Sequence, residues 1–241
     1  LNTGRNGLAG VGTQTAALAF GGYAPSYTAI TESYDGTTWT EVNDMNTAKV
    51  TMGEAGIQTA ALGFGGNTAA DVNSALTETW NGTNWTEVND LNTGRRKIAG
   101  AGTNTAALAF GSGTPPPRQQ TESWNGTNWT NVNNMNTGRQ SLAGCGTNTA
   151  ALAFGGSPSG AVTELWNGTN WTEVNDLNTA MSELAGIGTQ TAALAFLSAN
   201  TETWNGTNWT ATTVLNTPRG DLAGSGTNTV GLAFGGQPSG A

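Results

Sequence analysis

The chain has 241 residues, of which 10% are charged, 36 are glycine and none is histidine, and 16 acids against 8 bases give a net charge of −8. The bases are dispersed except for Arg95, Arg96 and Lys97, so the sequence offers no cationic surface of the kind that binds nucleic acid or an anionic membrane, and neither partner is expected. Without histidine, Ser-His-Asp and Cys-His catalysis and the common zinc sites are excluded. The single cysteine, Cys145, excludes an intrachain disulfide and reads as a small buried residue, since sister repeats place Val11, Ala55, Ala101, Ile187 or Ser225 there. No segment approaches the roughly 20 apolar residues of a membrane-spanning helix.

From the N-terminus the dominant feature is repetition. The motif LNTGR at Leu1 returns, with small changes, at Met45, Leu91, Met135, Leu177 and Leu215, at spacings of 44, 46, 44, 42 and 38 residues. Periods of this size mark solenoids, propellers or arrays. The unbroken rhythm predicts a single domain over 1–241, with repeats 1–44, 45–90, 91–134, 135–176 and 177–214 and a half repeat 215–241.

The first repeat opens on two apolar runs, Gly7–Thr13 and Thr15–Phe20, which predict strands A and B joined by a tight turn. Thr31–Tyr34 and Thr38–Val42 predict strands C and D, joined through Asp35-Gly36-Thr37, where sister repeats place Asn-Gly-Thr. Frequent glycine, threonine and asparagine, with no 3.6-residue apolar period, exclude helix. Strand B is apolar on both faces, so each four-stranded unit must be covered by copies of itself, and radial packing of such sheets is a β-propeller. Strands A and B occur six times and C and D five times. The expected fold is therefore all-β, six-bladed with an incomplete last blade; the alternative is five blades with a surplus or swapped half blade.

Alternating strand directions put the short A-B and C-D turns on one face and the B-C and D-A connections on the other. The B-C connections vary most between repeats, from Gly21–Ile30 through Gly65–Leu76, Gly111–Gln120 and Gly155–Val162 to a shortened Leu197–Asn200. Their aromatic and apolar residues, Tyr23, Tyr27 and the run Pro115 to Pro117, are free of repeat constraint, and a partner surface is expected on this face.

Three features recurring in register resemble kelch-type repeats. A basic residue precedes strand A (Arg5, Lys49, Arg95, Arg139, Arg219), and a Gly-Gly pair follows strand B (Gly21-Gly22, Gly65-Gly66, Gly155-Gly156, Gly235-Gly236). An aromatic residue is then followed by Trp in strand D: Tyr34 with Trp39, Trp80 with Trp85, Trp124 with Trp129, Trp166 with Trp171, and Trp204 with Trp209. The resemblance spans the chain and implies a propeller like the central domain of galactose oxidase. Departures are Gly111-Ser112, Leu197-Ser198 and Met181 in place of the basic residue. The near-identity of the copies is also similar to amplified repeats of bacteriophage structural proteins. Ser33, Asp35, Gly36 and Trp39 resemble the Asp box of sialidases, with shorter spacing and without the arginine cluster and backed tyrosine that chemistry needs.

Arg5, Arg95, Arg139 and Arg219 are expected either to ring one channel mouth as an anion site or to bond backbone carbonyls. Glu32, Glu78, Glu122, Glu164 and Glu202 in strand C, and Glu41, Glu87 and Glu173 in strand D, are expected to be solvated acids, because an active site would not recur in every blade. The tryptophan pairs are read as packing between blades rather than sugar platforms. The eight Asn-x-Thr sites at Asn81, Asn84, Asn125, Asn128, Asn167, Asn170, Asn205 and Asn208 are read as turn chemistry rather than glycosylation sites.

The expected function is a non-enzymatic structural or binding module that recognises protein or glycan through the B-C and D-A face, in a virion or extracellular setting, with no cofactor, metal or catalytic residue. A sialidase-like glycoside-processing enzyme is the alternative. The start within the repeat rhythm and the half repeat at the end suggest a third reading, an engineered or excised repeat fragment without activity of its own, whose unpaired half blade could self-associate.

Overall fold

The computed structural model describes residues 1–68, 72–113 and 118–238, and among these every regular element is a β-strand. Strands β1 to β4 (Ala9–Gly12, Ala17–Phe20, Thr31–Tyr34, Trp39–Val42) form the first blade in meander order. In the second, β6, β7, β9 and β10 (Gly53–Ile57, Ala60–Phe64, Thr77–Trp80, Trp85–Val88) repeat it, with a short ribbon of β5 and β8 (Lys49–Val50, Asn67–Thr68) at the loop end. The third comprises β11 to β14 (Ala99–Thr103, Ala106–Phe110, Thr121–Trp124, Trp129–Val132), and the fourth β15 to β18 (Ala143–Gly146, Ala151–Phe154, Thr163–Trp166, Trp171–Val174). The fifth comprises β19 to β22 (Ala185–Thr189, Ala192–Leu197, Asn200–Trp204, Trp209–Ala211), and a hairpin, β23 and β24 (Arg219–Gly226, Gly231–Pro238), ends the described chain.

The protein is thus an all-β propeller with five complete four-stranded antiparallel blades, so the six-blade expectation is not met as a count of full sheets. The surplus half repeat lies within the ring: β23 packs against β19 on one side and β1 on the other, and the inner strands β1, β6, β11, β15, β19 and β23 contact one another in a closed circle.

Close approach at the axis explains the small residues of the inner strands. A Cβ on Gly144 would lie 2.4 Å from the Phe110 ring of the preceding blade, and one on Gly186 would lie 2.3 Å from Phe154. In five of the six second strands the phenylalanine is therefore half of a contact whose other half is a glycine on the inner strand next door. Cys145 lies in this inner layer as a buried free thiol, and burial pushes its pKa up to about 12, which makes it a packing residue rather than a nucleophile.

Between blades, the outer-strand tryptophan of one blade covers the second-strand phenylalanine of the blade before it. Phe20 meets Trp85, Phe64 Trp129, Phe110 Trp171, Phe154 Trp209 and Phe234 Trp39, at ring separations between 4.8 and 5.0 Å. The indole N–H of Trp85, Trp129, Trp171 and Trp209 donates to Thr31, Thr77, Thr121 and Thr163 of the preceding blade at 3.0–3.1 Å. The eight tryptophans of blades two to five are at most 6% exposed, so none of them opens a flat indole face to a sugar.

The asparagines also act structurally. Asn81 Oδ1 accepts the amides of Thr83 and Asn84 to shape its turn, and Asn125, Asn167 and Asn205 do the same. Asn84, Asn128, Asn170 and Asn208 accept a side-chain bond from Asn43, Asn89, Asn133 and Asn175 of the preceding repeat.

Candidate functional site

The strand C acids are not solvated. Glu32, Glu78, Glu122, Glu164 and Glu202 are at most 1% exposed, and this corrects the expectation drawn from their recurrence. Each lies under the incoming D-A connection: Glu122 accepts the backbone and side-chain amides of Asn92 and the guanidinium of Arg95, all at 2.8 Å. Glu164 accepts from Asn136 and, at 2.9 Å, from Arg139. Glu32 pairs with Arg5, and Lys49 reaches Glu78 at 3.4 Å. Strand D acids Glu41, Glu87 and Glu173 are exposed, as expected.

The same geometry locates the basic residues. Arg5, Arg95 and Arg139 are 0–3% exposed and are bound up inside the blades, Arg95 donating also to Gly111 O and Gln120 O, and Arg139 to Gly155 O and Val162 O. They are clasps between connection and blade and do not stand open at the channel mouth. Burial pulls the pKa of Lys49, Arg95 and Arg139 down, while the partner carboxylates push it back up. Arg219 is half-buried and donates to Gly235 O at 3.1 Å.

What does stand at the mouth is the residue two positions after each clasp: Gly7, Thr51, Lys97, Ser141, Glu183 and Asp221. All six have φ between 50° and 63°, which only the glycine adopts without cost. A chain of backbone bonds holds them there. Thr51 N donates to Gly7 O, Lys97 N to Thr51 O, Ser141 N to Lys97 O, Glu183 N to Ser141 O and Gly7 N to Asp221 O, at 2.8–3.0 Å. These bonds join adjacent blades at the axis and offset left-handed strain of about 1 kcal/mol or more at each non-glycine position.

The ring is also where the repeats differ chemically. Lys97 and Glu183 form an ion pair at 3.5 Å with Ser141 lying between them in the ring order. Burial raises the pKa of Asp221, the charge of Glu183 raises it further, and Lys97 lowers it. Below the ring Glu54 lines the channel where the other inner strands have Gly10, Gly100, Gly144, Gly186 and Gly224. Half-buried among the inner strands, it loses hydration and its carboxyl is pushed up to about 8.

An acid whose folded pKa lies above its unfolded value contributes stability that is fully present below the unfolded pKa of 4.5 and is lost as pH rises to about 8. Glu54→Gln is therefore expected to be more stable than the parent at pH 8, with the difference vanishing near pH 4. Between those limits the two should diverge by at most about 1.4 kcal/mol per pH unit. Urea melts of both proteins over this range check it, and parallel curves would refute that loss of hydration.

Tyr23 and Tyr27 form an edge-to-face pair 6.0 Å apart in the first B-C loop, Tyr23 is 45% exposed, and the Tyr27 hydroxyl accepts from Asn67 of the second loop at 3.0 Å. Pro115 to Pro117 lie outside the described residues. The sequence signal for the ring is variation: the two positions after each clasp residue differ in every repeat, from Asn6-Gly7 to Gly220-Asp221, although LNTGR before them hardly changes. No protein-family model matches the chain, and comparison with curated proteins finds no match.

Proposed function

We propose that this propeller is a non-enzymatic binding module of kelch-like descent that recognises protein or glycan through the face carrying the B-C loops and the channel mouth. One observation carries the reading. The repeated tryptophans, phenylalanines, strand C glutamates and basic residues are consumed by packing and clasps, whereas side chains that change from repeat to repeat gather on this face: Tyr23, Lys97, Glu183 and Asp221. A surface that diversifies on an invariant frame is what selection for recognition produces, and loops on a rigid scaffold are its usual site. Near-identical repeats and the neutral-polar, asparagine- and threonine-rich composition fit a structural protein of a virion or cell exterior.

The test is a glycan array and a pull-down with the intact protein beside two variants, Tyr23→Ala/Tyr27→Ala and Lys97→Ala/Glu183→Ala. Binding that falls at least tenfold in either variant supports this face. Binding that survives both, and is lost instead on changes in the C-D turns, would move the site to the opposite face.

A further inference from the structure

At the boundaries between complete blades each second-strand phenylalanine has a tryptophan cover and the first threonine of each strand C an indole donor, and the half blade shows which partners one more outer hairpin would supply. β24 pairs with β23, and among the described residues no strand pairs with its other edge. Beside that edge lies a groove of about 340 Å³ lined by Phe196, Thr201, Leu215, Arg219 and Leu232 among others. Thr201 Oγ1 is buried without a hydrogen-bond partner, whereas its counterparts Thr31, Thr77, Thr121 and Thr163 each accept an indole N–H. Phe196 is the one second-strand phenylalanine without an aromatic cover among the described residues. Arg219 has a carbonyl but no carboxylate, where Arg5, Arg95 and Arg139 have Glu32, Glu122 and Glu164. Across the boundary Trp39 of the first blade lies against Phe234, and its indole N–H lacks the threonine acceptor that serves the other four outer-strand tryptophans.

These vacancies have one common complement. A threonine for Trp39, a glutamate directly after it for Arg219, and a tryptophan seven residues beyond for Phe196 and Thr201 is the spacing of Thr77, Glu78 and Trp85. We propose that the groove is a docking site for one further outer β-hairpin of this same repeat, of the pattern Thr-Glu-x-Trp-Asn-Gly-Thr-Asn-Trp. The hairpin adds to the edge of β24 by strand pairing, its second tryptophan fills the groove, and its glutamate neutralises Arg219. An intact second copy does not fit this role, because its own hairpins are already packed between blades.

The test uses the full chain and a synthetic peptide with the sequence of Thr77–Asp90. Calorimetry is expected to show one peptide per chain, and the thermal midpoint should rise with peptide concentration. A peptide with alanine at the Trp85 position should bind about thirtyfold more weakly or worse, and one with glutamine at the Glu78 position about tenfold more weakly. Arg219→Ala in the protein should erase the difference between the glutamate and glutamine peptides, and because the decisive changes lie in the peptide, folding of the protein is not at issue. Absence of one-to-one uptake, equal binding of the alanine peptide, or self-association of the protein that the peptide does not displace would each overturn the proposal.

Discussion

Arg139→Ala is expected to lower the unfolding free energy by about 3–5 kcal/mol, the loss typical of removing one member of a buried ion pair. Arg139 is fully buried and holds four partners at once: Glu164 and Gly155 O, both at 2.9 Å, Val162 O, and Thr137 O at 3.4 Å. Its removal leaves a carboxylate in the blade interior with only the Asn136 and Thr137 donors. Most of that loss is the uncompensated charge rather than the attraction forfeited, so adding Glu164→Gln to Arg139→Ala should recover a large part of it. Urea melts of the two variants separate the readings. A single-variant loss under 1 kcal/mol, or a double variant that is additive, would show that the clasp contributes little.

The fifth blade shows the same reasoning from the other side. Met181 occupies the clasp position at 1% exposure, and Glu202 has no basic partner among the described residues. Its carboxylate keeps the same three donors as Glu78 and Glu164 have in their clasped blades, the backbone and side-chain amides of Asn178 and the backbone amide of Thr179, here at 2.8–2.9 Å. Three N–H donors hold a buried carboxylate where the cation is missing, and the B-C loop whose carbonyls an arginine would need is shortened there to a turn around Ser198.

The propeller was legible in the sequence because its causes are local and repeated. Strand B apolar on both faces, Asn-Gly turns and a period of 38 to 46 residues leave few architectures. The clasps were not legible, since a recurring glutamate on an outer strand looks solvated until the D-A connection folds over it, and that connection comes from 24 to 32 residues earlier in the chain. The channel-mouth ring was hidden for a different reason. Its residues share no chemistry, only a left-handed backbone imposed by neighbouring blades, and a position defined by φ leaves no residue-type signature when glycine occupies it once in six.

Trp171→Ala is expected to cost about 3–5 kcal/mol, the range for deleting a large buried aromatic side chain. The indole is 5% exposed, lies 5.0 Å from Phe110 of the preceding blade and 5.4 Å from Trp166 of its own, and donates to Thr121 at 3.1 Å. It is therefore both an intrablade and an interblade contact. In a quasi-repetitive fold the interface contribution is what makes marginal units cooperative. Trp171→Phe keeps most of the apolar area and removes the hydrogen bond, leaving Thr121 Oγ1 buried and unpaired, and should cost about 1–3 kcal/mol. Trp39→Ala is the internal comparison: Trp39 is only half-buried and has no threonine acceptor, so its removal should cost clearly less than that of Trp171 although the repeat position is the same. Chemical unfolding of the three variants decides the order, and equal losses for Trp39 and Trp171 would mean that the hydrogen-bonded interface adds nothing to the stacked rings. A second signature follows from the position between blades three and four: hydrogen exchange in Trp171→Ala should accelerate in β11 to β18 before it does in β1 to β4.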